Sequence, residues 1–314
     1  MGIERRAFLT GIAAAGAASL ISPNEGAAQE IAPRPKYQYS KPIIDAHTHW
    51  YPPEFVDLIE KEGAAYGVKD IHRNDKGELV CTVPGNHPYL PRTVFRHEMT
   101  DIDLIFKAME ERSIDMNTLT QTNPHVLWAP PEFGVKLAQT INNATAAACA
   151  KYPKRFTGAI TLPMQDVNAS LAEMERCRNM PGMKAVNITE NILGNNLDDK
   201  SFWPVYERAQ ELNLPIFLHN LDPISERLVE KDYSMLNILG NPFEATIAAT
   251  VLVLGGVMDE FPKLDVFFPH AGGFFPFVTP RIDWALGTAA YAKSRNLGWF
   301  PKLKQPRASD YLRR

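Results

Sequence analysis

Two histidines one residue apart, His47 and His49, stand in the run KPIIDAHTHW directly behind Ile43-Ile44. Alternate residues of a strand point to one face, about 6.5–7 Å apart along it, so both imidazoles face the same way. Convergent imidazoles at the C-terminal end of a strand can share one metal ion. His219 closes the apolar run LPIFLH and His270 closes LDVFFPH, so four of the chain's eight histidines terminate three strand-like runs. In a parallel barrel all strand C-termini gather at one mouth, where such folds keep their chemistry. A lone histidine at a strand end is usually a hydrogen-bonded structural group; four in one context point to a shared metal site. His72, His87 and His97 fall outside this pattern, and His125 in QTNPH follows the second strand, where it could overlook the same mouth.

The elements that must position these residues alternate in type. Strand-like runs are expected at Pro42–Thr48, Met116–Thr122, Arg155–Leu162, Met183–Thr189, Leu214–His219 and Leu264–Pro269. Helical periodicity is expected at Asp101–Arg112, Glu132–Lys151, Asn168–Arg178, Phe202–Asn213 and Phe243–Phe261. Strand then helix, repeated, implies parallel strands joined by crossovers, an α/β fold. Residues 51–100 interrupt the rhythm with a hairpin pattern, IHRNDKGELVCTV, turning at Asn74–Gly77. Fifty residues are long for a βα loop and read as a small lid-like insertion after the first strand.

Composition bounds the rest. The 314 residues are 45% hydrophobic and 22% charged, ordinary for a globular chain with one large core. A net charge of −3 offers no footprint for nucleic acid or an anionic membrane. Cys81, Cys149 and Cys177 lack CxxC spacing and read as buried free thiols. Residues 1–28 place Arg5-Arg6 ahead of Phe8-Leu9, an Ala/Gly-rich apolar stretch and the small residues Gly26-Ala27-Ala28. That order is a signal peptide of twin-arginine type, too short for a comfortable transmembrane span. It implies periplasmic export in the folded state, with no membrane association after cleavage. A proline-bearing linker, 29–41, separates it from a domain covering 42–314.

The blocks DAHTH, KYPKRFTGAITLPMQD, PIFLHN and GNPFEATIAATVLVLGGVMDEFPKLDVFFPHAGGFFPFVTPRIDWA together resemble the amidohydrolase-related family typified by amino-carboxymuconate-semialdehyde decarboxylase and γ-resorcylate decarboxylase. The FPKLDVFFPHAGG block carries most of this; an HxH alone is weak. The resemblance implies a metal-dependent (β/α)8 TIM barrel. It also implies His47, His49 and His219 as ligands to a divalent metal, zinc before manganese, and His270 as the catalytic histidine beside it. Arg281 matches the arginine that binds the substrate carboxylate, and Arg92 or Arg96 supplies a second basic contact. Where the family has HPW after its third histidine, this chain has His219-Asn220-Leu221, so an aromatic residue of the substrate pocket is missing.

About six of eight barrel strands are counted, and the resemblance places two more, with a metal-site aspartate, beyond KQPRASDYLRR. A C-terminally truncated chain is therefore expected, and Asp310 is not that aspartate. The activity so implied is a carboxy-lyase of an unsaturated or aromatic carboxylic acid using a metal-activated water. The same centre would serve a hydrolase of a lactone, an amide or a related carbonyl, because both reactions need an activated water and an anion-binding arginine. A truncated, non-catalytic metal-binding remnant is the third reading. The implied partners are a small-molecule carboxylate and a second copy in a homodimer.

Overall fold

The computed structural model describes residues 41–85, 92–220, 233–287 and 303–313. The expected leader and nearly all of the expected linker lie outside them. Strand β1 (Ile44–His49) leads into helix α1 (Pro53–Glu62), then β2 (Lys69–Arg73), β3 (Leu79–Thr82) and β4 (Thr93–Phe95). Strands and helices then alternate: α2 (Ile102–Arg112), β5 (Met116–Thr120), α3 (Pro131–Lys151), β6 (Phe156–Thr161), α4 (Val167–Cys177) and β7 (Met183–Thr189). A two-residue ladder, β8 (Asn191–Ile192) with β9 (Asn195–Asn196), precedes α5 (Trp203–Glu211) and β10 (Ile216–His219). Helix α6 (Asn241–Leu254), β11 (Val266–Phe267) and α7 (Phe275–Gly287) follow.

Six strands form one parallel sheet in the order β1-β5-β6-β7-β10-β11, which is also their order in the chain. Each crossover therefore moves one strand along in the same direction, as in a barrel. The sheet curls into a half-barrel, a partial (β/α) barrel. Its helix-facing side packs Ile160, Val186, Ile188, Ile216 and Leu218 against Met174, Val205, Tyr206 and Leu252 in one apolar cluster.

Local chemistry explains several boundaries. Asp101 starts α2 by accepting from the Asp103 amide at 2.8 Å, and Asp166 starts α4 by accepting from the Ala169 amide at 3.0 Å. The helix expected over Phe243–Phe261 is interrupted. Its apolar pattern runs on, but α6 ends at Leu254, Gly256 takes φ +81°, and a separate turn, Val257–Glu260, follows. Helix α7, with Pro280 inside it, is a helix that the expected periodicities do not include. All three cysteines are buried free thiols, as expected.

The insertion holds more than a hairpin. The turn at Asn74–Gly77 is present, its Asn74 side chain accepting from the Lys76 amide at 3.0 Å, and β4 adds a third antiparallel strand. Phe55, Ile59, Leu79 and Phe95 form a second core with Phe133, Leu137 and Ile141 of α3. Tyr66 stacks on Phe133 with ring centroids 3.9 Å apart. The insertion is thus docked on a barrel helix by its own apolar cluster.

The segment after β11 approaches α6 very closely. Gly273 has φ +60°, and a Cβ there would lie 1.9 Å from the Pro242 carbonyl oxygen. The next amide, Phe274, donates to Thr246 Oγ1 at 2.7 Å. Gly273→Ala is expected to cost about 2 kcal/mol or more in urea unfolding, because both the backbone conformation and the space require glycine. An unchanged unfolding midpoint would contradict this packing.

Candidate metal centre

The HxH pair sits on an irregular part of β1. Asp45 pairs with Asn117 and Thr48 with Leu119, so three steps on β1 span two on β5. Such a bulge re-aims side chains at a strand end. The Asp45 carboxylate holds it, accepting from the His47 amide at 3.1 Å. The Nε2 atoms of His47 and His49 then lie 3.3 Å apart.

His219 enters from the fifth strand of the sheet. Its Nε2 is 3.1 Å from His49 Nε2, and its ring lies parallel to that of His47 with centroids 4.9 Å apart. The ligand atoms of His47, His49 and His219 all lie within 4.8 Å of one another, so the group could hold a metal ion.

Hydrogen bonding favours that use. His219 Nδ1 lies 2.8 Å from the Asn220 carbonyl oxygen, which only accepts, so Nδ1 carries the proton and Nε2 presents a lone pair. His49 Nε2 then faces two nitrogens, and among neutral rings one proton must serve both close contacts or leave one bare. A single cation would satisfy all three lone pairs. A tetrahedral zinc ion with Zn–N near 2.05 Å separates its nitrogens by about 3.3 Å, close to the spacing here. The residues fit the group.

Charge favours it too. Burial, then the neighbouring His47 and His270, push His49 down to about 4 against the opposing Asp45 carboxylate. Burial also lowers His47, and burial with His49 and His47 drives His219 well below its ordinary value. Near neutral pH the rings are uncharged and their lone pairs free to ligate.

The structure corrects the position of His270. It does not end a strand: β11 stops at Phe267, and His270 lies three residues on, with φ +53° and an exposed side chain. The short β11 and the left-handed backbone of His270 and Ala271 cause the shift, yet the His270 ring centroid still comes within 5.9 Å of that of His47, edge to face. Arg281 lies exposed on α7, and Arg92 and Arg96 lie exposed around β4. Among the described residues no hydrogen bond or ion pair joins any of these arginines to the histidines. Asp310 pairs with Arg307 at 2.9 Å.

His125, which the sequence placed within reach of this mouth, lies beside His219, and two buried acids nearby escaped the motif reading. His125 is 1% exposed and lies near enough to His219 to depress its charge; burial pushes His125 itself down to about 4. Glu190, directly after β7, and Glu244, in α6, are both buried, and burial with the Glu244 charge pushes Glu190 up to about 9. An acid inside the apolar run NPFEATIAATVLVL was a visible signal for Glu244.

The depressed histidines set a pH dependence. The unfolded chain binds protons near pH 6.5, whereas folded His49 resists them until about pH 4. The metal-free protein is therefore expected to keep its full stability above pH 6.5 and lose it progressively towards pH 4. Urea unfolding across this range reads the slope, and His49→Gln should flatten it. A slope unchanged by that substitution would contradict the burial argument.

A family model described as Amidohydrolase matches residues 44–305. A 2-amino-3-carboxymuconate-6-semialdehyde decarboxylase of Dictyostelium discoideum is 31% identical over 76% of this chain and 66% of its own length. A gamma-resorcylate decarboxylase of Rhodococcus jostii (strain RHA1) is 28% identical over 63% of this chain and 66% of its own. The chain thus spans about two thirds of the length of each of these relatives. Among solved structures, a dihydroxybenzoic acid decarboxylase from Polaromonas sp. JS666, with bound manganese and the inhibitor 2-nitroresorcinol, superposes with a TM-score of 0.62. It is 24% identical, over 86% of this chain and 76% of that one, and shows the shared fold. On this match over residues 44–305, which takes in the whole six-stranded sheet and its histidines, the chain belongs to the amidohydrolase family.

Proposed function

We propose that the chain is a divalent-metal-dependent carboxy-lyase acting on a small unsaturated or aromatic carboxylic acid. The observation that carries this reading is the meeting of three uncharged imidazoles, with a fourth edge-on, in a family whose relatives named above are decarboxylases. His47, His49 and His219 would hold the ion. A three-imidazole donor set suits zinc, our proposed occupant, and manganese, the ion in the solved relative, is the alternative. When bound, such an ion supplies Lewis acidity to an oxygen of the substrate.

The chain's own residues would do the rest. His270 borders the triad, and the partial burial of its ring together with His47 lowers its pKa, so its protonated form is a stronger donor. It would deliver a proton to the substrate carbon that bears the carboxylate. The electrons of the carbon–carboxylate bond then return to the unsaturated system as CO₂ leaves. Arg281 is the proposed orienting group for the anion, with Arg92 or Arg96 as a second basic contact, because a guanidinium offers a carboxylate two parallel donors.

The leader supports a place for this activity. Arg5-Arg6 and the apolar stretch behind them fit export through the twin-arginine route to the periplasm, and a homodimer free of the membrane is the proposed state there.

The test is CO₂ release from a panel of carboxylates, including 2,6-dihydroxybenzoate, by protein loaded with zinc or manganese. His270→Ala is expected to lower turnover by about 10²–10⁴-fold while metal content stays intact. Lactone ring opening without CO₂ release would favour the hydrolase instead. A fully active His270→Ala protein would overturn the role given to that residue.

A further inference from the structure

Asn220 stands one residue beyond the candidate ligand His219, where the family resemblance places a different residue, and it is 6% exposed. Its carbonyl oxygen is the acceptor for His219 Nδ1 at 2.8 Å. Its side-chain amide is fully committed as a donor. One N–H goes to a Glu190 carboxyl oxygen, and the other goes to the Asn241 carbonyl at the start of α6, at 2.9 Å. Two acceptors on Nδ2 leave no ambiguity about which way the amide faces. Glu190 is itself fixed to the same strand end, its amide donating to the His219 carbonyl at 3.0 Å.

We infer that Asn220 is a positioning residue of the metal centre: its side chain fixes the backbone carbonyl that orients the His219 ring. The inference rests on the metal-centre reading above. A ligating histidine needs its other ring nitrogen anchored, and losing such an anchor typically weakens metal binding by about 10–100-fold. Here the anchor is the neighbouring carbonyl, which rotates with the chain unless something outside the strand holds it. Glu190 and Asn241 are that hold.

The experiment measures Mn²⁺ and Zn²⁺ affinity of the full chain by chelator competition. In parallel it reads the His219 ring tautomer by ¹⁵N NMR of the metal-free protein. Asn220→Ala is expected to weaken both metals by about 10–100-fold and to convert a fixed Nδ1–H tautomer into an exchange-averaged one. Glu190→Ala reads the same contact from its other side and should move both measurements the same way. Glu190→Gln, which keeps an acceptor oxygen for the amide, should recover most of the loss. Affinity within twofold of the parent and an unmoved tautomer in Asn220→Ala would overturn the inference. If that variant does not fold, equal behaviour of the two Glu190 variants would overturn it instead. A parent chain that takes up neither metal would overturn the metal-centre reading itself, a distinct result.

Discussion

Everything at this site depends on the curvature of one sheet. His49 stands on β1 and His219 on β10, with β5, β6 and β7 between them. Four steps at about 4.8 Å would hold these strands roughly 19 Å apart in a flat sheet, beyond the reach of two imidazoles standing side by side. Their nitrogens are 3.1 Å apart. Only a sheet rolled towards closure can bring those ends together, and the parallel one-step crossovers impose that roll. The apolar cluster between strands and helices maintains it.

The N-terminal end of α6 ties two parts of the centre to one support. The Asn241 carbonyl receives the Asn220 amide beside His219, and Thr246 Oγ1 receives the Phe274 amide just beyond His270. The Pro242 carbonyl occupies the space that any side chain at position 273 would need. The same helix end therefore sets the position of a ligand candidate and of the proposed proton donor. Buried hydrogen bonds of this kind gain little in net stability, but leaving one unmade is expensive, which makes the arrangement specific.

Much of this was legible in the sequence because strand ends and histidines are both visible there. The six parallel strands follow from apolar runs alternating with helical periodicity, and the HxH pair and His219 stand where two of those runs end. His270 was also picked out, but its backbone was misjudged, since LDVFFPH reads as a continuous strand while the left-handed His270 and Ala271 turn the chain away. The extent of the insertion was hidden because α1 and β4 are short and depend on packing with residues of α3. The departure at Asn220 was visible but its role, like that of Glu190, was not: an asparagine in a loop and a glutamate after a strand carry no pattern until the sheet curls. The interruption at Gly255-Gly256 was written in plain residues, and the apolar periodicity around it obscured the break.

The central claim is that His47, His49 and His219 grip one divalent ion. X-ray absorption at the zinc edge of the stoichiometrically loaded protein tests it most directly. The account predicts three imidazole nitrogens at about 2.0–2.1 Å, with one imidazole lost in each single histidine-to-alanine variant at positions 47, 49 and 219. A shell with fewer than two imidazoles, or one unchanged by all three substitutions, would contradict it.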